Sequence, residues 1–253
     1  MTDPLPAYVI FGATGGIGSA VCRRLAVTGS RLLLVARDGD KLDSLAGELR
    51  QLNSTGEYRT CTADATNSAE VDAAFAQAVQ TFGTLDGATN LVGSILLKSA
   101  HTTTDDEFEQ TLSLNTRTAF YVLRAAAKAM LGTGGSVVLA STVATRIGLT
   151  NHEAIAAAKG AVNGMVLAAA ATYAPRNIRV NAVAPGLVDT PLAVKITGSE
   201  LALKASTAMH PLGRIGRPDD VAAAVCWLLD PATTWVTGQI IGIDGGLSTV
   251  RTK

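Results

Sequence analysis

Cysteine is scarce in this chain: Cys22, Cys61 and Cys226 are odd in number, far apart and without a second cysteine nearby. That pattern supports neither a disulfide framework nor a zinc site, and it suits a reducing compartment. An excess of charge is missing too. Lysine plus arginine and aspartate plus glutamate both come to 21, and no basic stripe would suit a phosphate backbone, so nucleic acid is not expected as a partner. The stretch Met1 to Pro6 lacks the basic segment and long apolar core of a signal peptide, and the alanine-rich run after Lys159 is broken by Asn163 and Tyr173, which argues against a membrane span. The expectation is a soluble cytoplasmic protein. Linkers and internal repeats are absent as well, and 253 residues, 47% of them apolar, are enough to bury a core as one domain, 1–253.

What the chain has is alternation. Short apolar, β-rich runs at Ala7 to Phe11, Arg31 to Ala36, Tyr58 to Thr62, Leu85 to Asn90, Ser136 to Ser141, Ile178 to Ala184 and Gln239 to Ile243 are separated by longer helical patterns. A parallel crossover needs a helix to bring the chain back, so the pattern predicts an α/β fold, a doubly wound seven-stranded parallel sheet flanked by helices. Gly132 to Gly135 punctuates the join before the fifth strand. Residues 186–216, Gly186 to Gly216, form the longest stretch with a poorly defined pattern, beyond the carboxyl end of a strand where open α/β sheets bind ligands. That segment is read as a lid, with an ordinary surface helix pair as the alternative.

Immediately after the first run comes Gly12-Ala13-Thr14-Gly15-Gly16-Ile17-Gly18, opening a helix with apolar Val21, Leu25 and Val27. Small residues there let the backbone turn tightly and approach a pyrophosphate, which unpaired amides and the positive end of the helix dipole stabilise. The spacing Gly-x-x-x-Gly-x-Gly resembles the fingerprint of the short-chain dehydrogenase/reductase family, with Phe11 where that family usually has threonine. Further segments in the right order extend the resemblance along essentially the whole chain. Asp64 is similar to the family's adenine-contacting aspartate, and Asn90-Leu91-Val92-Gly93 to its Asn-Asn-Ala-Gly turn, with the second asparagine lost. Asn181 to Gly186, with Val188 and Thr190, resembles the segment holding the nicotinamide end and the pyrophosphate, its Pro185-Gly186 pair included; Gly238 to Gly246 resembles the final strand. The resemblance implies a Rossmann fold and a nicotinamide dinucleotide.

Arg37 ends the second run where an acid would accept hydrogen bonds from a ribose 2'-hydroxyl, and its guanidinium suits a 2'-phosphate, so NADP(H) is favoured. NAD(H) stays open, because Gly15 stands where some NADP-binding members carry a second basic residue and Arg37 has Asp38 and Asp40 beside it.

The family's catalytic group consists of asparagine, serine, tyrosine and lysine. By resemblance, Asn115 in the helical stretch Glu107 to Met130 takes the asparagine role, Thr142 in Ser141-Thr142-Val143 the serine role, and Lys159 the lysine role, which includes binding the nicotinamide ribose. The tyrosine, expected one helical turn before Lys159, is Ile155, which has no transferable proton. Tyr173 is roughly 21 Å along the helix from Lys159 at 1.5 Å per residue, and Tyr121 lies about 240° around a helix from Asn115. His152 precedes Lys159 by two turns and can share its face, a spacing the superfamily's enoyl reductases use for tyrosine. As imidazolium it could donate a proton, assisted by Thr142; otherwise it is a surface residue at a helix start or a substrate contact. His101 and His210 have unremarkable explanations.

The expected function is an NADP(H)-linked oxidoreductase acting on a small-molecule carbonyl or quinone with an altered proton donor. A cofactor-binding pseudoenzyme, sensing nucleotide or scaffolding a partner, is the alternative from another class, and an enone reductase a third. The resemblance also implies a homotetramer built through the helices around Asn115 and Lys159 and the final-strand region.

Overall fold

The computed structural model describes residues 5–251, so Met1 to Pro4 of the stretch read for a targeting signal lie outside the described residues. Seven strands form one sheet: β1 (Ala7–Phe11), β2 (Arg31–Ala36), β3 (Glu57–Thr62), β4 (Gly87–Asn90), β5 (Gly135–Ala140), β6 (Ile178–Pro185) and β7 (Ile240–Ile243). Their order is β3-β2-β1-β4-β5-β6-β7 and every pairing is parallel. The chain therefore moves outward from β1 to β3 and restarts beside β1 with β4. Ligands bind at such a reversal, above the carboxyl ends of the strands. Here Phe11 of β1 pairs with Val35 on one side and Asn90 on the other.

The strands at the centre are buried on both faces, which explains their continuous rather than alternating apolar pattern. Helices α1 (Gly16–Val27), α2 (Gly39–Leu52) and α9 (Pro218–Leu229) cover one face through Val21, Leu25, Leu42, Leu45 and Val225. The other face is covered by α3 (Ser68–Phe82), α5 (Thr118–Met130) and α6 (Glu153–Tyr173), using Phe75, Val122, Val162 and Val166. Each such side chain contributes about 1.5 to 3 kcal/mol when fully buried. Helix α6 is long and apolar enough to cross a membrane by length and composition, yet it lies on the sheet with Val162 and Val166 inside.

One stretch differs from the sequence reading, and a second has the helices that its alternative named. The helix expected from Glu107 to Met130 is broken: α4 (Asp105–Leu112) and α5 are joined by a π-turn at Ser113–Arg117. Residues 186–216 are largely helical, with a 3-10 turn at Pro191–Ala193, then α7 (Val194–Thr197) and α8 (Glu200–Met209). No residue of α8 is buried, so it has no core-facing stripe for a periodicity argument to detect. Leu192, Val194, Leu201, Met209 and Leu212 of this segment are exposed.

Candidate cofactor and active site

The turn after β1 is built by glycine at two points that tolerate nothing larger. Gly12 has φ +78°, and a Cβ there would stand 3.0 Å from backbone atoms of both Leu91 and Val92. A Cβ on Gly18 would stand 2.0 Å from the Gly12 carbonyl oxygen. The amides of Gly12 and Ala13 both donate to Val35 O, which locks the turn onto β2. Helix α1 then starts with no side-chain cap and no acid in its first turn. By contrast α2, α3 and α4 are capped by Asp38, Asn67 and Thr104. The first amides of α1, from Gly16 to Gly18, are thus left for an anion, beside partly buried Thr14 and Ile17 and exposed Gly15.

At the end of β2, Arg37 is exposed and makes no ion pair among the described residues. Asp38, one of its two sequence neighbours of opposite charge, instead caps α2 and pairs with Lys41 at 2.9 Å. Asp64 accepts hydrogen bonds from the Thr66 amide and hydroxyl, both at 2.8 Å. Those bonds, with Arg37 a lesser contributor, hold its carboxyl below the ordinary range. Asn90 shapes the turn after β4: its Oδ1 accepts from Val92 N and its Nδ2 donates to Thr118 Oγ1.

The next residue of that turn is a point of convergence. A methyl group placed on Gly93 would stand 2.8 Å from Asn115 Oδ1 and 3.4 Å from Lys159 Nζ. Asn115 is fully buried in the π-turn. Its Nδ2 donates to Ser94 Oγ and to Thr111 O, four residues back, while its Oδ1 accepts from Ser94 N. A side chain inserted into the helical ladder in this way accounts for the five-residue turn. Thr116 ties the same turn to α6 by donating to Ala158 O at 2.8 Å.

Lys159 is buried and donates one hydrogen bond, 2.8 Å to Ala140 O at the end of β5. Burial without a carboxylate partner pulls its pKa down to about 8 from an ordinary 10.5. Between those values the unfolded lysine keeps its proton while the folded one has lost it, so the folded protein gains stability as pH rises through this window. Lys159→Met should therefore exceed the wild type by about 1 to 2 kcal/mol at pH 7, net of the lost hydrogen bond. The gap should narrow as pH approaches 10; urea midpoints at pH 7 and 10 check it.

Two hydroxyls follow β5. That of Ser141 is buried and donates to Asn163 Oδ1 at 2.6 Å, whereas Thr142 is half-buried and only accepts, from Ala144 N at 3.4 Å. Thr142 is the hydroxyl with capacity to spare. Sequence reasoning overlooked Asn163, whose Nδ2 also donates to Thr145 Oγ1 and so clamps the loop carrying Thr142. An asparagine four residues after Lys159, on the same helical face, was the available signal. Ser94 was missed as well.

Ile155 is 5% exposed, one turn before Lys159. His152 stands at the N-cap position of α6 without a side-chain capping bond and is half-buried, with Nδ1 2.8 Å from Thr150 O. Tyr121 is turned away, packed on the core beneath the Arg124 guanidinium, and Tyr173 ends α6. After β6, Gly186 is crowded by His210 and Asp244, Val188 bridges Gly216, and a Cβ on Gly16 would touch Thr190 at 2.7 Å. The segment that leaves Pro185 thus passes directly over the glycine turn. A cleft of about 760 Å³ opens at the opposite end of the sheet beside Asp86, Gly134 and Trp235. It includes none of these residues, so size does not mark the chemistry here.

Comparison with known proteins gives matches along the chain. Residues 12–248 match the family model described as enoyl-(acyl carrier protein) reductase. Galactitol 2-dehydrogenase (L-tagatose-forming) of Cereibacter sphaeroides is 35% identical over 240 residues, covering 94% of this chain and 92% of that one. The 3-oxoacyl-(acyl-carrier-protein) reductase of Thermotoga maritima is 32% identical over 244 residues, with coverages of 94% and 96%. Among solved structures, a short-chain type dehydrogenase/reductase from Mycobacterium ulcerans superimposes with a TM-score of 0.93 at 32% identity, covering 97% of this chain and 90% of that one.

Proposed function

The chain belongs to the short-chain dehydrogenase/reductase family, and on that premise we propose that it is an NADP(H)-linked oxidoreductase reducing a small-molecule carbonyl with a proton donor other than tyrosine. The observation that carries this reading is the convergence of Gly93, Asn115 and Lys159 above the carboxyl ends of β4 and β5, beside an α1 whose N-terminus is uncapped. Members of the family use NAD(P)(H). The uncapped amides and the acid-free first turn of α1 fit its pyrophosphate, and Arg37, without an ion pair among the described residues, fits a 2'-phosphate better than a ribose hydroxyl.

Bound there, the cofactor would supply hydride to the carbonyl carbon. The protein's part is to hold the carbonyl and to meet the negative charge that develops on its oxygen. Thr142 has a hydroxyl free to donate to that oxygen. Lys159 has two N–H groups beyond its bond to Ala140 and a place next to Asn115, which suits a ribose hydroxyl. His152 delivers the proton in this reading: Nδ1–H donation to Thr150 O fixes the ring and leaves Nε2 to carry the mobile proton. Residues 186–216 act as the lid, hinged where Thr190 crosses Gly16.

The test is steady-state oxidation of NADPH and NADH by the purified protein against ketones, diketones, quinones and enones, with cofactor binding measured in parallel. Turnover with NADPH preferred, and a roughly 100-fold loss in His152→Ala, is expected. Unchanged turnover in that variant would remove His152 from the mechanism. Saturable binding without turnover on any substrate would favour the sensor or scaffold, a reading that the buried Ile155 supports. Hydride on the carbon beta to a carbonyl would mark the enone reductase.

A homotetramer is part of the same proposal. The outward side of α6 is small and exposed at Ala157, Gly160, Ala161, Gly164 and Ala168, which suits close approach of a second helix, and β7 is a sheet edge. Light scattering should give four times the chain mass; a monomer at working concentration rejects it.

A further inference from the structure

His210, unremarkable in the sequence, is 3% exposed and uses both ring nitrogens. Nδ1 lies 2.7 Å from Ser206 O in the last turn of α8, and Nε2 accepts from the Leu187 amide at 3.3 Å. A carbonyl can only accept and an amide can only donate, so these partners select the neutral ring with its proton on Nδ1. The two bonds join different things. Ser206 belongs to the lid helix; Leu187 lies between Gly186 and Val188, in the backbone assigned above to the nicotinamide end of the cofactor.

The junction is built around the ring. A Cβ on Gly186 would stand 2.6 Å from Nε2 and 3.2 Å from Asp244 Cα, so the absence of a side chain at Gly186 is what admits the imidazole. The Leu187 carbonyl accepts from Gly216 N, and among the described residues the Leu187 amide donates to His210.

We propose that His210 is a positioning residue: its neutral imidazole ties α8 to the Gly186–Val188 backbone, and protonation of the ring releases that backbone and weakens cofactor binding. The inference rests on the proposed cofactor reading.

The physical step is simple. A ring proton on Nε2 would face the Leu187 N–H, replacing an acceptor with a second donor. The groups facing the ring are known from each neighbouring element. At the end of β7, Asp244 is held below the ordinary carboxylate range: burial opposes this, but the Ser248 and Gly246 amides overcome it, with help from Arg146. From the segment after α8 and from α9, the Arg214–Asp220 pair lines, with Asp244, a cavity of about 460 Å³. Leu187 and His210 also border that cavity, which gives the ring a route for proton exchange.

Calorimetric titration of the full chain with NADP+ at pH 8.0 and 5.5 tests the proposal, using wild type, His210→Gln and His210→Ala. Glutamine offers a carbonyl acceptor to Leu187 and does not titrate. Wild-type affinity should fall about tenfold or more on acidification, the equivalent of one lost hydrogen bond or slightly more. The glutamine variant should bind near the wild-type level at pH 8.0 and lose markedly less at pH 5.5, because the 2'-phosphate's own titration is common to both. The alanine variant should be weak at both values. Equal pH dependence in wild type and His210→Gln would overturn the proposal. So would nitrogen-15 spectra of the wild-type ring showing a proton on Nε2 at pH 8.0, a readout independent of whether the variants fold. If neither NADP+ nor NAD+ binds at any pH, the cofactor reading fails. Protection of the Leu187 amide from hydrogen exchange then decides His210 by itself: protection lost at pH 5.5 in wild type but kept in His210→Gln supports the tie, and identical behaviour refutes it.

Discussion

Introduced into His152→Ala, Ile155→Tyr raises the turnover number for ketone reduction by about 100-fold or more, the usual contribution of a positioned general acid. The residue is one helical turn before Lys159 on α6, so a phenol introduced there projects from the face that carries the lysine. Lys159 already stands at the carboxyl end of β5, bonded among the described residues only to Ala140 O. Its ammonium favours the phenolate, which lowers the phenol's pKa toward the working range and makes it a better donor near neutral pH. Thr142 supplies the second hydroxyl.

The opposing effect is steric, since Ile155 is 5% exposed and a larger side chain in a packed position costs about 1 to 3 kcal/mol. A thermal melt of the variant separates that cost from catalysis. The gain should appear in kcat on unactivated ketones more than on quinones, where solvent can supply the proton. If NADPH binds normally and no ketone is turned over faster, the cleft does not hold a carbonyl beside position 155. The chain would then be better described as a nucleotide sensor or scaffold.

Much of the fold was readable because its signals are local. The run Arg31 to Ala36 is apolar without alternation and coincides with β2, since a strand buried on both faces has no polar side to reveal. Where the reading slipped, a non-local contact decided. The run from Leu85 begins two residues before β4: there the Asp86 side chain accepts from Ala7 N at 2.7 Å where a backbone carbonyl would in a regular ladder, while its own amide and carbonyl bond to Ala7 O and Ser136 N. The π-turn at Asn115 depends on Ser94, 21 residues earlier, and on the Thr111 carbonyl. Neither is visible in a 3.6-residue period. His210 carries no signal in the sequence because its meaning comes from Leu187 and Ser206 together. The glycine turn is legible for the opposite reason: the residues that define it, Gly12 to Gly18, are contiguous and follow directly on β1, although Val35 O and the Leu91–Val92 backbone hold it in place.

Gly18→Ala reduces NADP+ affinity on the order of 100-fold, as expected for losing one or two charged hydrogen bonds at about 1.5 to 3 kcal/mol each. The cause is one methyl group. It would stand 2.0 Å from Gly12 O and 2.8 Å from Gly12 C, both backbone atoms, so no side-chain rotation relieves the clash and the first turn of α1 must move away from β1. Gly12 cannot yield, because its φ of +78° and its 3.0 Å approach to Leu91 and Val92 fix it against the end of β4. The amides at the start of α1 are then displaced from the anion they would hold. Gly47 is the matched control. It lies within α2 with nothing within 4 Å of an added Cβ, so Gly47→Ala should leave affinity unchanged and raise stability by roughly 0.5 to 1 kcal/mol. Calorimetry and thermal melts on both variants separate a local displacement from general unfolding. A folded Gly18→Ala protein with wild-type affinity would place the phosphates elsewhere, and the assignment of Arg37 to the 2'-phosphate, which depends on the position of this turn next to β2, would fall with it.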